Sequence, residues 1–322
     1  MDQKHQISYE EVLNNYGFEH ITTSYDNTIV EIEKRKDGLI KPLKTEWFTF
    51  DETLGGGIQE STQYIIGGRP SVGKSAFSSA LLFNICDYND LSKFIILFWN
   101  LEMRNTQQVT RFISSKTGKT VGEINSAKEI LDETDFNIIK QMKSYVTEYP
   151  FYFFNKNVTP ERIKIVNKEL RQKYPDIHII NLFDHTRLIT SSNEKTEEQK
   201  ITKLAATFQE LTVSDRISAI LLSQLNRNIE DMIRQTNPYP LASDLFGSDA
   251  LAQFANVIII LQRPELYPNV KKYLYWDREL KSLLAVHILK NRDGEVTWIP
   301  FKHLLQHNSM MEYKQYLQSI NG

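Results

Sequence analysis

The run Gly67-Gly68-Arg69-Pro70-Ser71-Val72-Gly73-Lys74-Ser75 limits what this chain can become more than any other segment. From Gly68 it satisfies G-x-x-x-x-G-K-S. It lies between a short apolar strand pattern, Gln63 to Gly67, and a helical pattern, Lys74 to Tyr88, with Phe77, Ala80, Leu81 and Ile85 on one face. Glycines let the backbone close around phosphate oxygens, while exposed N–H groups and the helix N-terminus supply positive potential. Gly68, Arg69, Pro70, Ser71, Val72, Gly73, Lys74 and Ser75 are therefore the expected phosphate cradle. Lys74 is placed to reach the terminal phosphates and Ser75 to put its hydroxyl on magnesium. With strand, loop and helix all in sequence, a chance glycine-rich turn is a poor alternative.

Hydrolysis also needs an acid near the metal and a base for the attacking water. Two acids follow apolar strand patterns, where an open sheet places its ligand crevice. Glu102 comes after Lys93 to Leu101 and is suited to polarise the lytic water; Asp184 comes after Ile177 to Phe183 and is suited to hold magnesium through an outer water. A strand-end carboxylate also caps following helices, and for both acids that reading stays open.

Beyond Trp47, strand and helix patterns alternate. Further strands are expected at Lys93 to Trp99, Phe151 to Phe154, Ile177 to Phe183, Ile217 to Leu222 and Val257 to Leu261. Thr159-Pro160-Glu161 opens a helix. Leu283 to Leu289 and Val296 to Phe301, separated by Asn291 to Gly294, read as a hairpin. The expected fold is α/β: a mainly parallel sheet, helices on both faces, an antiparallel edge hairpin and a short N-terminal helical arm. The expected division is an arm over 1–44, a nucleotide-binding domain over 45–305 and a C-terminal helix or tail over 306–322. In the arm, Glu10 to Tyr16 and Asn27 to Lys36 read as helices, the second docking on its own globule or on a neighbour's. The polar stretch Asn226 to Ser243 reads as a mobile loop.

Composition excludes little. Hydrophobic residues make up 41% and charged residues 24%, as in a soluble globular protein. No apolar run nears the roughly 20 residues that span a bilayer. The polar N-terminus shows neither a secretory signal nor a transit peptide, so a cytoplasmic location without membrane contact is the default. Cys86 is the only cysteine, which rules out an internal disulfide and suits a small buried residue. A net charge of -2 leaves nucleic-acid binding open, because a ring needs cations only along its strand.

Five segments together resemble DnaB-type replicative helicases, whose core is a RecA-like P-loop domain. Arg69 to Ser75 resembles that family's RPSMGKT loop, and Asn100-Leu101-Glu102-Met103 its SLEM motif, whose glutamate is the catalytic base. Phe183 to Ile189 (FDHTRLI) is similar to IDYLQLI, which carries the metal-side aspartate. Leu222 to Arg227 matches LSQLNR, where the glutamine, here Gln224, senses the γ-phosphate. Lys290-Asn291-Arg292-Asp293-Gly294 resembles the KQRNG turn, whose lysine and arginine reach into a neighbour's ATP. Thr45 to Gly57 resembles the segment leading into the domain. The resemblance spans roughly residues 45 to 305, in the family's order.

It implies a hexameric ATPase using ATP and Mg2+, translocating 5′ to 3′ on single-stranded DNA, with Lys74, Glu102, Gln224, Lys290 and Arg292 in catalytic roles. Residues 24 to 37 would be the family's linker helix, and a primase or loader a candidate partner. A solvated hairpin tip is the other reading of Lys290 and Arg292. The chain starts just before that linker helix, which weakens the primase expectation. A second departure touches DNA: where the family reads DLRESGSIEQDAD, this chain has Phe246 for the arginine and Gly247 for the glutamate. Backbone N–H groups of Gly247 and Ser248, stacking by Phe246, and the loop cations Arg227 and Arg234 are the candidate DNA contacts. Phe246 reads equally as core. His185 and Arg187 replace a tyrosine and a glutamine beside Asp184, and His185 suits a supporting hydrogen bond better than magnesium ligation. The altered DNA segment keeps a second reading alive, a RecA-like ATPase acting as a switch or assembly factor without unwinding.

Overall fold

In the computed structural model, β1 (Gln63–Gly68), β2 (Phe94–Asn100), β3 (Phe151–Phe154), β4 (His178–Asp184), β5 (Ser218–Gln224), β6 (Val257–Gln262), β7 (Leu283–Asn291), β8 (Thr297–Leu304) and β9 (Ser309–Glu312) form one sheet. Their order is β3-β2-β4-β5-β1-β6-β7-β8-β9. The first six in that order are parallel, and β7, β8 and β9 continue antiparallel. Residues 12–13, 15–128, 130–154, 156, 158–184, 196–226, 239–266 and 282–321 are described.

β1, β4 and β6 are buried along their whole length, which is why they read as continuous apolar runs. Their side chains still alternate between two cores. Ile220 and Leu222 of β5, with Val257, Ile259 and Leu261 of β6, enter one core; Ala219 and Leu221, with Ile258 and Ile260, enter the other. The first core lies under α2 (Phe48–Thr53) and α3 (Lys74–Tyr88), with α4 (Asn105–Thr117) beside α3 through Phe83 and Phe112. The second lies under α7 (Pro160–Lys173), α8 (Glu197–Ser214) and α9 (Ser248–Phe254). Short α5 (Val121–Ile124) and α6 (Glu133–Val146) complete the connection from α4 to β3.

Local chemistry sets the helix starts. Thr159 Oγ1 accepts from Arg162 N, with Pro160 as first residue of α7, as the sequence suggests. Thr196 and Gln199 close a capping box on α8.

The described chain divides into two units, Met1–Pro42 and Leu43–Gly322. Within the first, α1 (Ile21–Lys36) begins at Ile21 rather than Asn27, because His20 Nδ1 caps Thr22 N at 3.2 Å. Lys34, Arg35 and Lys36 sit in its last turn, where cations favour the helix dipole. Of the helix expected over Glu10 to Tyr16, Val12, Leu13 and Asn15 are helical, and residues 10, 11 and 14 lie outside the described residues. Among the described residues no helix is long and apolar enough to cross a membrane.

At the far end, Tyr313–Asn321 forms the terminal helix α10, but the strand β9 just before it was not expected. Its four residues pair with β8, and the buried Glu312 carboxylate accepts from Phe50 N at 2.8 Å. That bond satisfies an otherwise orphan donor in the first turn of α2. Trp47, Phe50, Phe77 and Phe301 meet in one aromatic cluster, with the Trp47 ring 4.9 to 5.6 Å from the other three. Trp47 is 2% exposed. Trp47→Ala should therefore lower unfolding free energy by about 3–5 kcal/mol in a denaturant titration; a loss under about 1 kcal/mol would show that the cluster does not anchor α2 and β8.

Candidate active site

Parallel strands end together, and here their carboxyl ends gather the expected residues. Gly68 ends β1 and pairs with Gln224, the last residue of β5. Asp184 ends β4 opposite Asn100, the last residue of β2, and Glu102 follows two residues on. β1 is also where strand order turns, since β2 and β6 lie on its opposite sides. Such a switch point opens a crevice beyond the strand ends.

The loop from β1 to α3 is shaped by contacts that leave no room for side chains. A Cβ on Gly67 would stand 2.5 Å from Leu245 Cδ2, and one on Gly68 would stand 2.6 Å from Val72 Cγ1. Gly73 caps α3 at φ 108°, a left-handed conformation that glycine alone adopts without strain. Ser71 takes φ 63° despite its side chain. Lys74 Nζ donates to the Gly68 carbonyl at 2.6 Å and the Arg69 carbonyl at 3.1 Å, which folds the ammonium over the loop. Arg69 Nη1 donates to the Leu225 carbonyl at 3.3 Å.

Burial lowers the Lys74 pKa to about 8, against the opposing pull of Asp184 and Glu102 and with a further push from Arg69. Ser75 and Asp184 offer oxygen donors, the latter at 1% exposure. Among the described residues no group of three His, Cys, Asp or Glu could hold a metal on its own. That donor set fits magnesium, which takes one or two protein oxygens and fills its octahedron with phosphates and water.

The Glu102 segment is anchored from below. Asn100 Nδ2 donates to Asn105 Oδ1 at 3.2 Å, and Asn100 Oδ1 accepts from Met103 N at 3.3 Å. Ser79 Oγ of α3 donates to Gln108 Oε1 of α4 at 2.9 Å. One turn beyond Gln108 stands Arg111, which sequence reading missed. Among the described residues its Nη1 is buried without a hydrogen-bond partner, and although burial lowers the guanidinium pKa, Asp184 and Glu102 attract the charge. Only the fold brings this cation to the two acids; the available signal was helical spacing, i to i+3, from Gln108.

Lys290 and Arg292 are placed elsewhere. Asn291 pairs with Val257 and Val257 with Tyr64, at the amino end of β1. Four residues of strand separate Tyr64 from Gly68, about 13 Å at roughly 3.3 Å per residue. Arg292 is exposed, its N–H donating to the Asn256 carbonyl at 3.1 Å. Lys290 Nζ donates to the Ala252 carbonyl at 2.7 Å, and burial followed by repulsion from Arg292 lowers its pKa. These cations do not join Lys74, Glu102 and Asp184 within one chain.

Of the candidate DNA contacts, Arg227 and Arg234 lie outside the described residues, as do His185 and Arg187 and most of the expected loop from Asn226. Phe246 is half-buried against the second core, and its N–H donates to the Gln224 carbonyl at 2.8 Å. Of its two readings, packing is the one this geometry favours. Gly247 takes φ 69° and caps α9, whose first residue is Ser248. Cys86 is buried and free.

The family model for the DnaB-like helicase C terminal domain matches residues 42–312. A probable replicative DNA helicase of Trieres chinensis is 24% identical over 97% of this chain; the chain spans 66% of that relative's length. One solved ATPase domain superposes with a TM-score of 0.76 at 22% identity, covering 91% of this chain and 99% of that one. A DnaB-like replicative helicase, solved in a study of its interactions with primase, gives a TM-score of 0.74 at 23% identity, covering 95% of this chain and 70% of that one.

Two expectations follow from the geometry. A Lys74 titrating near pH 8 in the free chain has its pKa raised by bound phosphate, so ADP binding should take up about half a proton more at pH 8 than at pH 6.5. Calorimetry in buffers of different ionisation heat reads this, and equal uptake at both pH values would refute it. Arg111→Ala should cut nucleotide turnover on the order of a hundredfold while ADP affinity changes far less; equal losses in both would make Arg111 a binding residue instead.

Proposed function

The chain belongs to the DnaB-like helicase C-terminal domain family, and from that premise we propose that it is the ATP-hydrolysing motor of a ring that moves along single-stranded DNA. Its fold is a RecA-like P-loop sheet with an antiparallel edge. In this reading Ser75 and Asp184 hold magnesium, which supplies charge neutralisation to the β- and γ-phosphates. Lys74 binds those phosphates, Glu102 orients the attacking water and accepts its proton, and Gln224 contacts the γ-phosphate from the end of β5. Arg292, with Lys290 beside it, enters the neighbouring chain's site. Residues 45–305 form the motor, 1–44 an arm with the linker helix, and 306–322 add the edge strand β9 and the terminal helix α10 to the motor's sheet.

One observation carries this reading: the phosphate loop and the hairpin cations lie at opposite ends of the same sheet. A chain so built holds half of each of two sites. Head-to-tail contact completes them, and a heterologous contact that closes makes a ring, which we take to be a hexamer. The DNA strand is assigned to the segment from Asn226 to Ser248, with Arg227, Arg234, Gly247 and Ser248 as contacts and Phe246 packed behind them. A 5′ to 3′ direction and a primase or loader partner are carried over from the family; a relative solved in a primase study supports the latter.

The switch reading draws on one observation, that Phe246 packs on the core where the family resemblance places a strand-gripping arginine. Two measurements separate the proposals. Lys74→Ala and Arg292→Ala chains should each be inactive alone, yet recover about a quarter of wild-type ATPase when mixed equally, the fraction of interfaces joining two intact halves. A mixture as dead as its parts would overturn the shared site. Single-stranded DNA should raise turnover; an assembled ATPase indifferent to DNA would leave the switch reading standing and remove the helicase one.

A further inference from the structure

The tip of the phosphate loop is strained, and something must hold it. Ser71 adopts φ 63°, which a residue with a Cβ rarely takes. Inside the loop, Val72 N donates to the Arg69 carbonyl at 3.3 Å. Lys74 holds the Gly68 and Arg69 carbonyls, but it must give up part of those bonds when phosphate oxygens compete for its ammonium. The Ser71 carbonyl is held from outside. Arg263 Nη1 donates to it at 3.2 Å.

Arg263 reaches that position because Leu261 pairs with Gly68, so the chain leaving β6 passes beside the loop. Its guanidinium is oriented in turn. Nε donates to Glu265 Oε1 at 3.0 Å, Nη2 joins the same carboxylate, and Glu265 Oε2 accepts from Ser282 N at 3.0 Å, just before β7. His303 Nε2 stands 3.6 Å from Glu265 Oε1. Burial pushes the Glu265 carboxyl up, yet the bonds from Arg263 and Ser282 hold it below its ordinary value, so the carboxylate stays charged. A planar guanidinium holds two acceptors at a fixed spacing and angle, which the freely rotating ammonium of a lysine does not.

We propose that Arg263, aimed by Glu265, is a positioning residue that fixes the peptide between Ser71 and Val72 and so presets the loop's affinity for nucleotide phosphates. In a trans peptide the carbonyl and the next N–H point in opposite directions. Fixing the Ser71 oxygen outward therefore fixes the Val72 N–H inward. Released, that peptide samples other orientations, and binding must pay to order it again. The bond to Ser71 does not compete with phosphate, so it persists in both states of the site. With Nη1 on the Ser71 carbonyl and Nε and Nη2 on Glu265, Arg263 acts through the loop. The proposal rests on the nucleotide-binding reading above.

The test uses the full chain, with ADP as probe in titration calorimetry, ATP turnover, and an unfolding midpoint for each variant. Arg263→Ala and Glu265→Ala should weaken ADP binding and raise KM for ATP roughly tenfold, with kcat within about threefold of wild type and little change in midpoint. Glu265→Gln, which keeps an acceptor for the guanidinium, should recover part of the affinity. A role confined to stability predicts instead that affinity tracks the midpoint across all variants, and that result would overturn the proposal. So would wild-type affinity in Arg263→Ala. Should that variant fail to fold, Arg263→Lys decides: it keeps the charge without the fork, and unchanged affinity refutes the positioning role. An unsubstituted chain that neither binds ADP nor hydrolyses ATP would instead sink the functional reading itself.

Discussion

Strand direction governs this molecule. Six parallel strands present their carboxyl ends along one edge of the sheet, and an antiparallel strand added beside them must carry its far turn to the other edge. β1 to β6 therefore bring Gly68, Gln224, Asp184 and Glu102 together with no further instruction. β7 is equally bound to deliver Lys290 and Arg292 to the opposite end. The crevice has Lys74 and Arg111 beside its two acids, and the cations of its own hairpin stay out of reach. The separation is a property of the topology, and no side-chain rotation abolishes it.

Holding charged groups at that edge costs free energy, and the two cores offset the cost. Lys74 sits in enough low-dielectric surroundings to lose much of its usual basicity, and Arg111 and Asp184 are likewise withdrawn from water. Such groups persist where the backbone that carries them cannot relax. Here that rigidity comes from β1 and β4, buried on both faces, and from α3, which is buried along most of its length beneath the Trp47 cluster. Glu312 extends the same frame, because its carboxylate joins the last strand to the helix that follows Trp47.

Much of this was legible in the chain itself. Lys74 to Tyr88 is the helix that its periodicity suggests, and Phe151 to Phe154 is the strand that its aromatics suggest. Both carry their signal locally, in side-chain pattern and flanking punctuation. The phosphate loop is legible for the same reason: nine consecutive residues contain the entire motif. The missing pieces depend on contacts between distant segments. Ser309 to Glu312 has no strand pattern of its own and becomes one only because β8 offers it an edge. Arg111 looks like any helical arginine until the fold brings it within the field of Asp184 and Glu102. Arg263 and Glu265 are separated from Ser71 by most of the domain, and only the pairing of β6 with β1 makes them neighbours.

The same pairing logic bears on how an event at the phosphates reaches the segment assigned to DNA. Leu225 and Leu245 form a bridge that brings the two ends of that segment together, and Asn226 N donates to the Asp244 carbonyl at 2.6 Å. The bridge rests on Gly67, where even a methyl group would strike Leu245. Gln224 precedes it directly, with its carbonyl held by Phe246 N, while Arg69 of the phosphate loop holds the Leu225 carbonyl. A displacement of Gln224 or Arg69 therefore moves both ends of the segment as one body, since close-packed contacts transmit strain instead of absorbing it. Phe246 gains a purpose in this light. Packed on the second core, it ties the C-terminal end of the segment to that core beside Gln224.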